Sequence, residues 1–258
     1  MAQEVPRNTY LASLVLLQKH GISVDSVIDV GAAEGILCLT RQHYGLFPNT
    51  KQVFLDCMEE NEVLYRRFVE RIDADYAVAA ISDHDGEIDI HVDPNAYNTH
   101  VDGAQGEQEG YVTRRVPCRM LDSLREERNW QGPLYVHLDL QGNELKAMQG
   151  ATETLKVTNV VVAELQLFSA DTTFAAFTSY MESQGFTLFD VTDPGHYMTS
   201  PILYQVYATY IPRRLDFRGS LEWAEGDTLA RALDSLKARR EKNIGLINAA
   251  LDDMPVRI

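Results

Sequence analysis

Several things are scarce or missing in this chain of 258 residues. Cysteine occurs only at Cys38, Cys57 and Cys118. An odd, widely spaced set of this kind excludes a disulfide framework and offers no zinc-binding spacing, so a reducing, cytoplasmic setting is expected. No apolar run reaches the roughly 18 residues that a membrane-spanning helix needs. The opening stretch MAQEVPRNTYLASLVLLQKHG lacks a basic leader and a small-residue cleavage site, and reads as a helix over 8–20. Basic residues are in deficit, with 23 Lys and Arg against 38 Asp and Glu, for a formal charge of −15. That surface repels phosphate backbones and anionic lipid, which argues against nucleic acid or a membrane as the main partner. Internal repeats and low-complexity tracts are also absent.

What is present is an alternation of strand and helix patterns. Short apolar runs at 27–30 (VIDV), 52–55 (QVFL), 76–81 (YAVAAI), 134–140 (LYVHLDL) and 160–167 (VVVAELQL) read as strands. Helices are expected over 37–44, 59–71, 120–129, 144–155 and 173–184. The segment EIDIHV, 87–92, alternates as a half-buried strand does, and 116–118 reads as another short strand. The polar stretch 93–110 is long for a connection and reads as a functional loop, as does 193–201. Segments 186–191 and 203–211 read as an antiparallel pair. These patterns predict an α/β sandwich with a mainly parallel sheet, because near-continuous apolar strands are buried on both faces. The domain is expected to span 1–212. Residues 213–258 form a separate extension of one or two amphipathic helices, with Leu229, Leu233, Leu236, Ile244, Ile247 and Leu251 at helical spacing. They either cover the domain or join a second copy into a homodimer.

In such a sheet, ligands bind beyond the carboxyl ends of the strands. The stretch VIDVGAAEG, 27–35, lies at such an end. Gly31 allows a tight exit from the strand, Ala32 and Ala33 leave room for close approach, and Gly35 opens the following helix. The spacing is G-x-x-x-G, without the second glycine of a dinucleotide fingerprint. Asp29, two residues before Gly31, would repel a pyrophosphate and favours a ligand with a cationic end. Asp56 ends the next strand 21 residues after Gly35, where an acid typically binds ribose hydroxyls. Asp139 ends the strand LYVHLDL, and Glu164 and Gln166 sit two apart, on one face, at the end of the next. Asp139 and Glu164 alone are an incomplete ligand set, so no metal is expected.

Three blocks carry a family resemblance: VIDVGAAEG; AAISDHDGEIDIHV with VPCRMLDSL; and YVHLDLQGNELKAMQGA followed by VVVAELQLF. Over about 27–211 the chain resembles FkbM-family methyltransferases of the class I S-adenosylmethionine-dependent group. That family commonly shows D-V-G-A-N-x-G, an E-P pair after the second strand, and K-I-D-V-E-G-A-E. Here Ala33 replaces Asn, Asp56-Cys57 replaces Glu-Pro, and His137, Gln141 and Asn143 replace Lys, Glu and Ala. The resemblance implies a Rossmann-like sandwich, its seven-stranded sheet mainly parallel with an antiparallel last strand. It implies S-adenosyl-L-methionine as cofactor, bound by Asp29, Gly31, Ala32, Glu34, Gly35, Asp56, Cys57, Ile81, Ser82 and Asp139. Gln141, Glu164 and Gln166 would face the substrate, a small molecule or glycan methylated on a hydroxyl. A hydroxyl needs a proton acceptor; Asp139 is the first candidate, with His100 and His196 reaching in from loops, while His137, deeper on the Asp139 strand, reads as structural. Two other readings stay open: a nicotinamide-dependent oxidoreductase, and a scaffold of the same fold without catalysis.

Overall fold

A computed structural model describes residues 8–35, 43–94, 99–101, 110–168, 173–197, 200–220 and 226–252. The helix expected over 37–44 lies largely outside the described residues, as do Cys38 and much of the 93–110 stretch. Two compact units emerge, Met1–Asp216 and Phe217–Ile258. The strands of the first unit are β1 (Ser26–Val30), β2 (Lys51–Asp56), β3 (Ala74–Val78), β4 (Ala80–Ile81), β5 (Gly86–Val92), β6 (His100–Val101), β7 (Val112–Arg119), β8 (Leu134–Leu138), β9 (Thr158–Gln166), β10 (Phe186–His196) and β11 (Leu203–Pro212). Its helices are α1 (Tyr10–Lys19), α2 (His43–Leu46), α3 (Glu62–Val69), α4 (Leu121–Arg128), α5 (Glu144–Gln149), α6 (Thr152–Leu155) and α7 (Phe174–Ser183). Among the described residues, the second unit contains a 3-10 turn at Arg218–Ser220 and the α-helix α8 (Gly226–Asp252), with Leu233, Leu236, Ile244 and Ile247 exposed.

The main sheet has seven strands in the order β10-β11-β9-β8-β1-β2-β3. Strands β3, β2, β1, β8 and β9 run parallel, while β11 is antiparallel to both β9 and β10. Strand order reverses between β1 and β8, so a crevice opens at their carboxyl ends. Both strands are buried throughout, as their unbroken apolar pattern requires. Ile28, Val30, Val136, Leu138, Val161, Ala163 and Leu165 pack one face against Leu121, Leu124, Met148, Phe177 and Met181. Trp130 closes that core and donates its indole N–H to Asp75, 2.9 Å away.

The structure departs from the sequence expectations in three places. The strand expected over 76–81 divides. β3 stays in the main sheet, and β4 leaves it to join a second, four-stranded sheet ordered β4-β7-β5-β6. The alternation of EIDIHV marks this small sheet, whose β5 and β7 are antiparallel neighbours. The helix expected over 144–155 breaks into α5 and α6 at Gly150. A Cβ there would stand 2.2 Å from the Ser82 carbonyl oxygen, so the glycine lets the α5–α6 junction rest on the chain leaving β4. Asp122, in the first turn of α4, accepts the Glu153 and Thr154 N–H groups at 3.0 and 2.7 Å and caps α6. Finally, β10 continues through His196, into the expected 193–201 loop.

The crevice depends on one close approach. Gly31 has φ +82°, and a Cβ on it would lie 1.9 Å from the Asp139 carbonyl oxygen. Gly21 has φ +79° with open space around it. Gly21→Ala should therefore cost only the left-handed backbone strain, about 1 kcal/mol, and Gly31→Ala at least twice that by urea denaturation. Equal losses would show that the two turns are not in contact.

Candidate functional site

Two turns flank the crevice. The first follows β1. The Gly31 and Ala32 N–H groups both donate to the Leu55 carbonyl, at 2.8 and 3.1 Å, which locks the turn to β2. Ala33 adopts φ +47°, a region that disfavours residues with a Cβ. Two bonds hold it there: its N–H donates to Asp56 Oδ2 at 2.8 Å, and its carbonyl accepts the Tyr65 hydroxyl. The other Asp56 oxygen accepts the Met58 N–H at 2.7 Å. Burial pushes the Asp56 carboxyl up despite these bonds. The Asn61 side chain adds a third bond to this carboxylate, which has about four acceptor sites in all. Gly35, φ +70°, passes so close to Phe68 that a Cβ would meet the ring at 2.8 Å. Ala33 and Glu34 are exposed at the tip.

The second turn follows β8. The Asp139 N–H donates to the Val30 carbonyl at 3.0 Å, tying the two turns together. Gln141, with φ +53°, donates from Nε2 to Asp139 Oδ1 at 2.8 Å and to Glu164 Oε2 at 3.1 Å. The Gln205 amide donates to the other Glu164 oxygen, and the Tyr207 hydroxyl donates to Asp139 Oδ2 at 3.3 Å. Burial, followed by the charge of Asp139, pushes the Glu164 carboxyl up to about 9. Glu164 therefore favours its protonated form at neutral pH, beside the Asp139 carboxyl. Behind it, Glu144 accepts the Leu140 and Gly142 N–H groups at 2.9 and 3.1 Å and braces the turn; burial pushes its carboxyl up to about 7. Gln166, half-buried, faces Gln205 across the β9–β11 register.

Asp29 lies one layer beneath. It is 2% exposed, and its Oδ1 stands 2.9 Å from Nδ1 of the fully buried His137. The His137 ring packs against Tyr10 of α1 and Tyr207 of β11, with centroids 5.7 and 6.0 Å away. Asp29 is thus engaged inside the protein, and His137 is structural, as its depth on the strand suggests. The structure brings together Gly31, Ala32, Asp56, Asp139, Gln141, Glu164 and Gln166 at the carboxyl edge.

Other expected site residues are placed differently. His100 is on β6, 3% exposed, between the rings of His91 and Tyr111 at 5.4 and 5.5 Å. Its pairing opposite His91 puts it inside the small sheet, not on a loop. His196 is an exposed strand residue opposite Leu203. Ile81 and Ser82 are 2% and 0% exposed, packed beneath the α5–α6 junction, where the Asn143 amide donates to the Ile81 carbonyl at 2.8 Å. They therefore do not line an open crevice. Cys57 packs against the core of the small sheet, and burial beside Asp56 pushes its thiol up to about 12. Sequence reading missed Gln205, Tyr207 and Tyr10. The period-two spacing of Gln205 and Tyr207, opposite Gln166 and Glu164, is the signal that marks two of them. Among the described residues, no group of three or more His, Cys, Asp or Glu is arranged to hold a metal, and no helix is long and apolar enough to cross a membrane.

Comparison with known proteins places this geometry. Among solved structures, the chain is similar to the methyltransferase FkbM from Methylobacillus flagellatus KT, at 13% identity and TM-score 0.47, over 71% of this chain and 43% of that one. It thus spans less than half of that protein's length. It is similar to a putative RNA methyltransferase from Pyrococcus horikoshii, at 12% identity and TM-score 0.40, over 81% and 86% of the two chains. A Burkholderia thailandensis 1,6-didemethyltoxoflavin-N1-methyltransferase, solved with S-adenosylhomocysteine, matches at 12% identity and TM-score 0.39, over 80% of each chain. No match is found among curated proteins. The methyltransferase FkbM domain model matches residues 29–188, which is more than half of the sequence and includes both turns; the chain belongs to the FkbM methyltransferase domain family.

Proposed function

We propose that the protein is an S-adenosyl-L-methionine-dependent O-methyltransferase that acts on a hydroxyl of a sugar or small metabolite. The observation that carries this reading is the pairing of the Gly31–Gly35 turn with the Asp139–Glu164 carboxylates across the β1–β8 switch point. The turn presents only small side chains at Gly31, Ala32 and Ala33, so a ligand can approach its backbone. The charges acting on Asp56 and Glu164 are other carboxylates: Asp29 in the first case, Asp139 and Glu144 in the second. Such surroundings suit a sulfonium and oppose a pyrophosphate, which favours this cofactor over a nicotinamide dinucleotide. Asp56 would take the ribose on its remaining acceptor site, and the Gly31–Gly35 backbone would hold the methionine part. Membership of the FkbM methyltransferase domain family points the same way.

When bound, the cofactor supplies an electrophilic methyl group. The chain's own residues then have to align the acceptor and take its proton, and alignment accounts for much of the rate in such transfers. Asp139 is the proton acceptor, held by Gln141 and Tyr207. Glu164, raised by burial and then by the charge of Asp139, keeps its proton beside that base. Gln205 and Gln141 fix Glu164 from both sides.

Three results are expected. Calorimetry should detect binding of S-adenosylmethionine but not of NAD, and Asp56→Ala should weaken it at least tenfold, since both the ribose acceptor and the Ala33 anchor are lost; unchanged affinity would refute the role of Asp56. Asp139→Asn should lower kcat about 100-fold or more, the usual contribution of a positioned base, while cofactor affinity changes less than fivefold; a normal kcat would remove Asp139 as the base. The third concerns Glu164, whose carboxyl is raised from 4.5 to about 9 on folding. Its stabilising effect is complete below the unfolded value and is lost as pH rises toward about 9. Glu164→Gln should therefore flatten the fall in Tm between about pH 5 and 9, leaving the smaller slope that Glu144 contributes up to about 7. Identical pH profiles would show that Glu164 ionises normally.

A further inference from the structure

At the far rim of the same edge lies an aromatic cluster that the reaction as derived above does not use. Phe168 follows Gln166 by two residues and is 57% exposed; Tyr197, just past β10, is 47% exposed. Their rings stack at 6.3 Å with an interplanar angle of 21°, and Tyr197 meets Tyr204 at 4.9 Å. Among the described residues of the first unit, Phe168 and Tyr197 are the exposed large aromatic side chains, and they are stacked on each other. Leaving two such rings in water forgoes the gain that burial would bring, about 2 kcal/mol for a large apolar side chain. The cluster adjoins the strand positions that hold the carboxylate pair. The Leu167 N–H donates to the Tyr204 carbonyl at 2.8 Å, and Gln205, the next residue, donates its amide to Glu164. Burial, followed by the charge of Glu164 and, more weakly, that of Asp139, raises the Tyr204 hydroxyl.

The sequence of this wall restricts what it can bind. From Val157 to Pro212, spanning β9, β10 and β11, there is no Lys and no Arg. A phosphate or carboxylate on the ligand would find no counter-charge in that segment and would face Asp139 and Glu164. A cationic ligand would meet repulsion from a sulfonium bound in the same crevice. At this end of the sheet the register sets Gln166 opposite Gln205, and an amide is both donor and acceptor, which is the pattern that a hydroxyl needs. We infer that Phe168, Tyr197 and Tyr204 form an acceptor-stacking platform for a neutral, polyhydroxylated ring, an uncharged sugar. Its C–H face lies on the aromatic rings and its hydroxyls point to Gln166, Gln205 and the carboxylate pair. This inference rests on the methyltransferase reading above and specifies its acceptor.

The test is saturation-transfer NMR on the full chain with S-adenosylhomocysteine, using three probe sets: neutral methyl hexopyranosides, hexose 6-phosphates, and 2-amino-2-deoxyhexoses. Calorimetry with S-adenosylhomocysteine comes first. If the cofactor product does not bind, the methyltransferase reading fails on its own, before any sugar is added. If it binds, ring C–H protons of at least one neutral glycoside should receive saturation, and the charged sugars at least fivefold less. Phe168→Ala and Tyr197→Ala should each reduce that transfer at least fivefold with S-adenosylhomocysteine affinity kept within twofold. Tyr197→Phe, which keeps the ring, should retain it. No transfer to any neutral glycoside, equal transfer to the phosphates or amines, or transfer indifferent to both alanine variants would each overturn the platform.

Discussion

The contact between the Gly31 turn and the backbone of Asp139 governs the rest of the molecule. Two parallel strands end side by side, and the chain leaving each must turn away without pushing the other apart. A hydrogen bond from the Asp139 N–H to the Val30 carbonyl draws the turns together, and the missing side chain of Gly31 lets them meet. Everything proposed for the crevice depends on that distance. The turn that would hold a cofactor and the carboxylate that would receive a proton are separated by one residue's thickness because nothing larger than hydrogen occupies position 31. The supporting bonds from Asp56, Tyr65 and Glu144 hold the two turns in conformations that Ala33 and Gln141, both at positive φ, would otherwise resist.

Electrostatics impose the second constraint. Asp29, Asp56, Asp139, Glu144 and Glu164 gather at one end of the sheet, and burial makes each negative charge expensive. The molecule relieves this in different ways. Asp29 meets His137, Asp56 and Glu144 each take two backbone N–H groups, and Glu164 keeps its proton. The same concentration of acid is what the proposed sulfonium ligand would draw on, so the instability and the proposed use have one origin.

The parallel core and its two turns were legible from the sequence because each rests on local signals: unbroken apolar strands, a small-residue turn, and acids at strand ends. Asp139 and Glu164 stood out for that reason, whereas Gln141 entered only through the family resemblance. What was not legible depends on pairings far along the chain. The departure of β4 from the main sheet follows from its pairing with β7, some forty residues later, and no local pattern announces it. Burial of Ile81 and Ser82 follows from Gly150, and burial of His100 from its place opposite His91. The contributions of Gln205 and Tyr207 required knowing that β11 inserts beside β9 in antiparallel register. Strand order is a tertiary property, and side chains supplied across it are seen only once the order is known.

The small sheet has an architectural consequence. The chain departs the main sheet through β4 and comes back through β7, and these two strands lie side by side, Ala80 opposite Cys118 and Ile81 opposite Arg119. The excursion is therefore cinched at its neck. On the return side, Asp85 accepts the Met120 N–H and the Ser123 hydroxyl, at 2.8 and 2.6 Å, which fastens the neck to the start of α4. Lengthening or shortening the far end of such an excursion changes mainly a loop-closure entropy that grows only with the logarithm of its length. The parallel core and the crevice are thereby insulated from variation in the module, much as a tool is exchanged at its handle without resetting the bench.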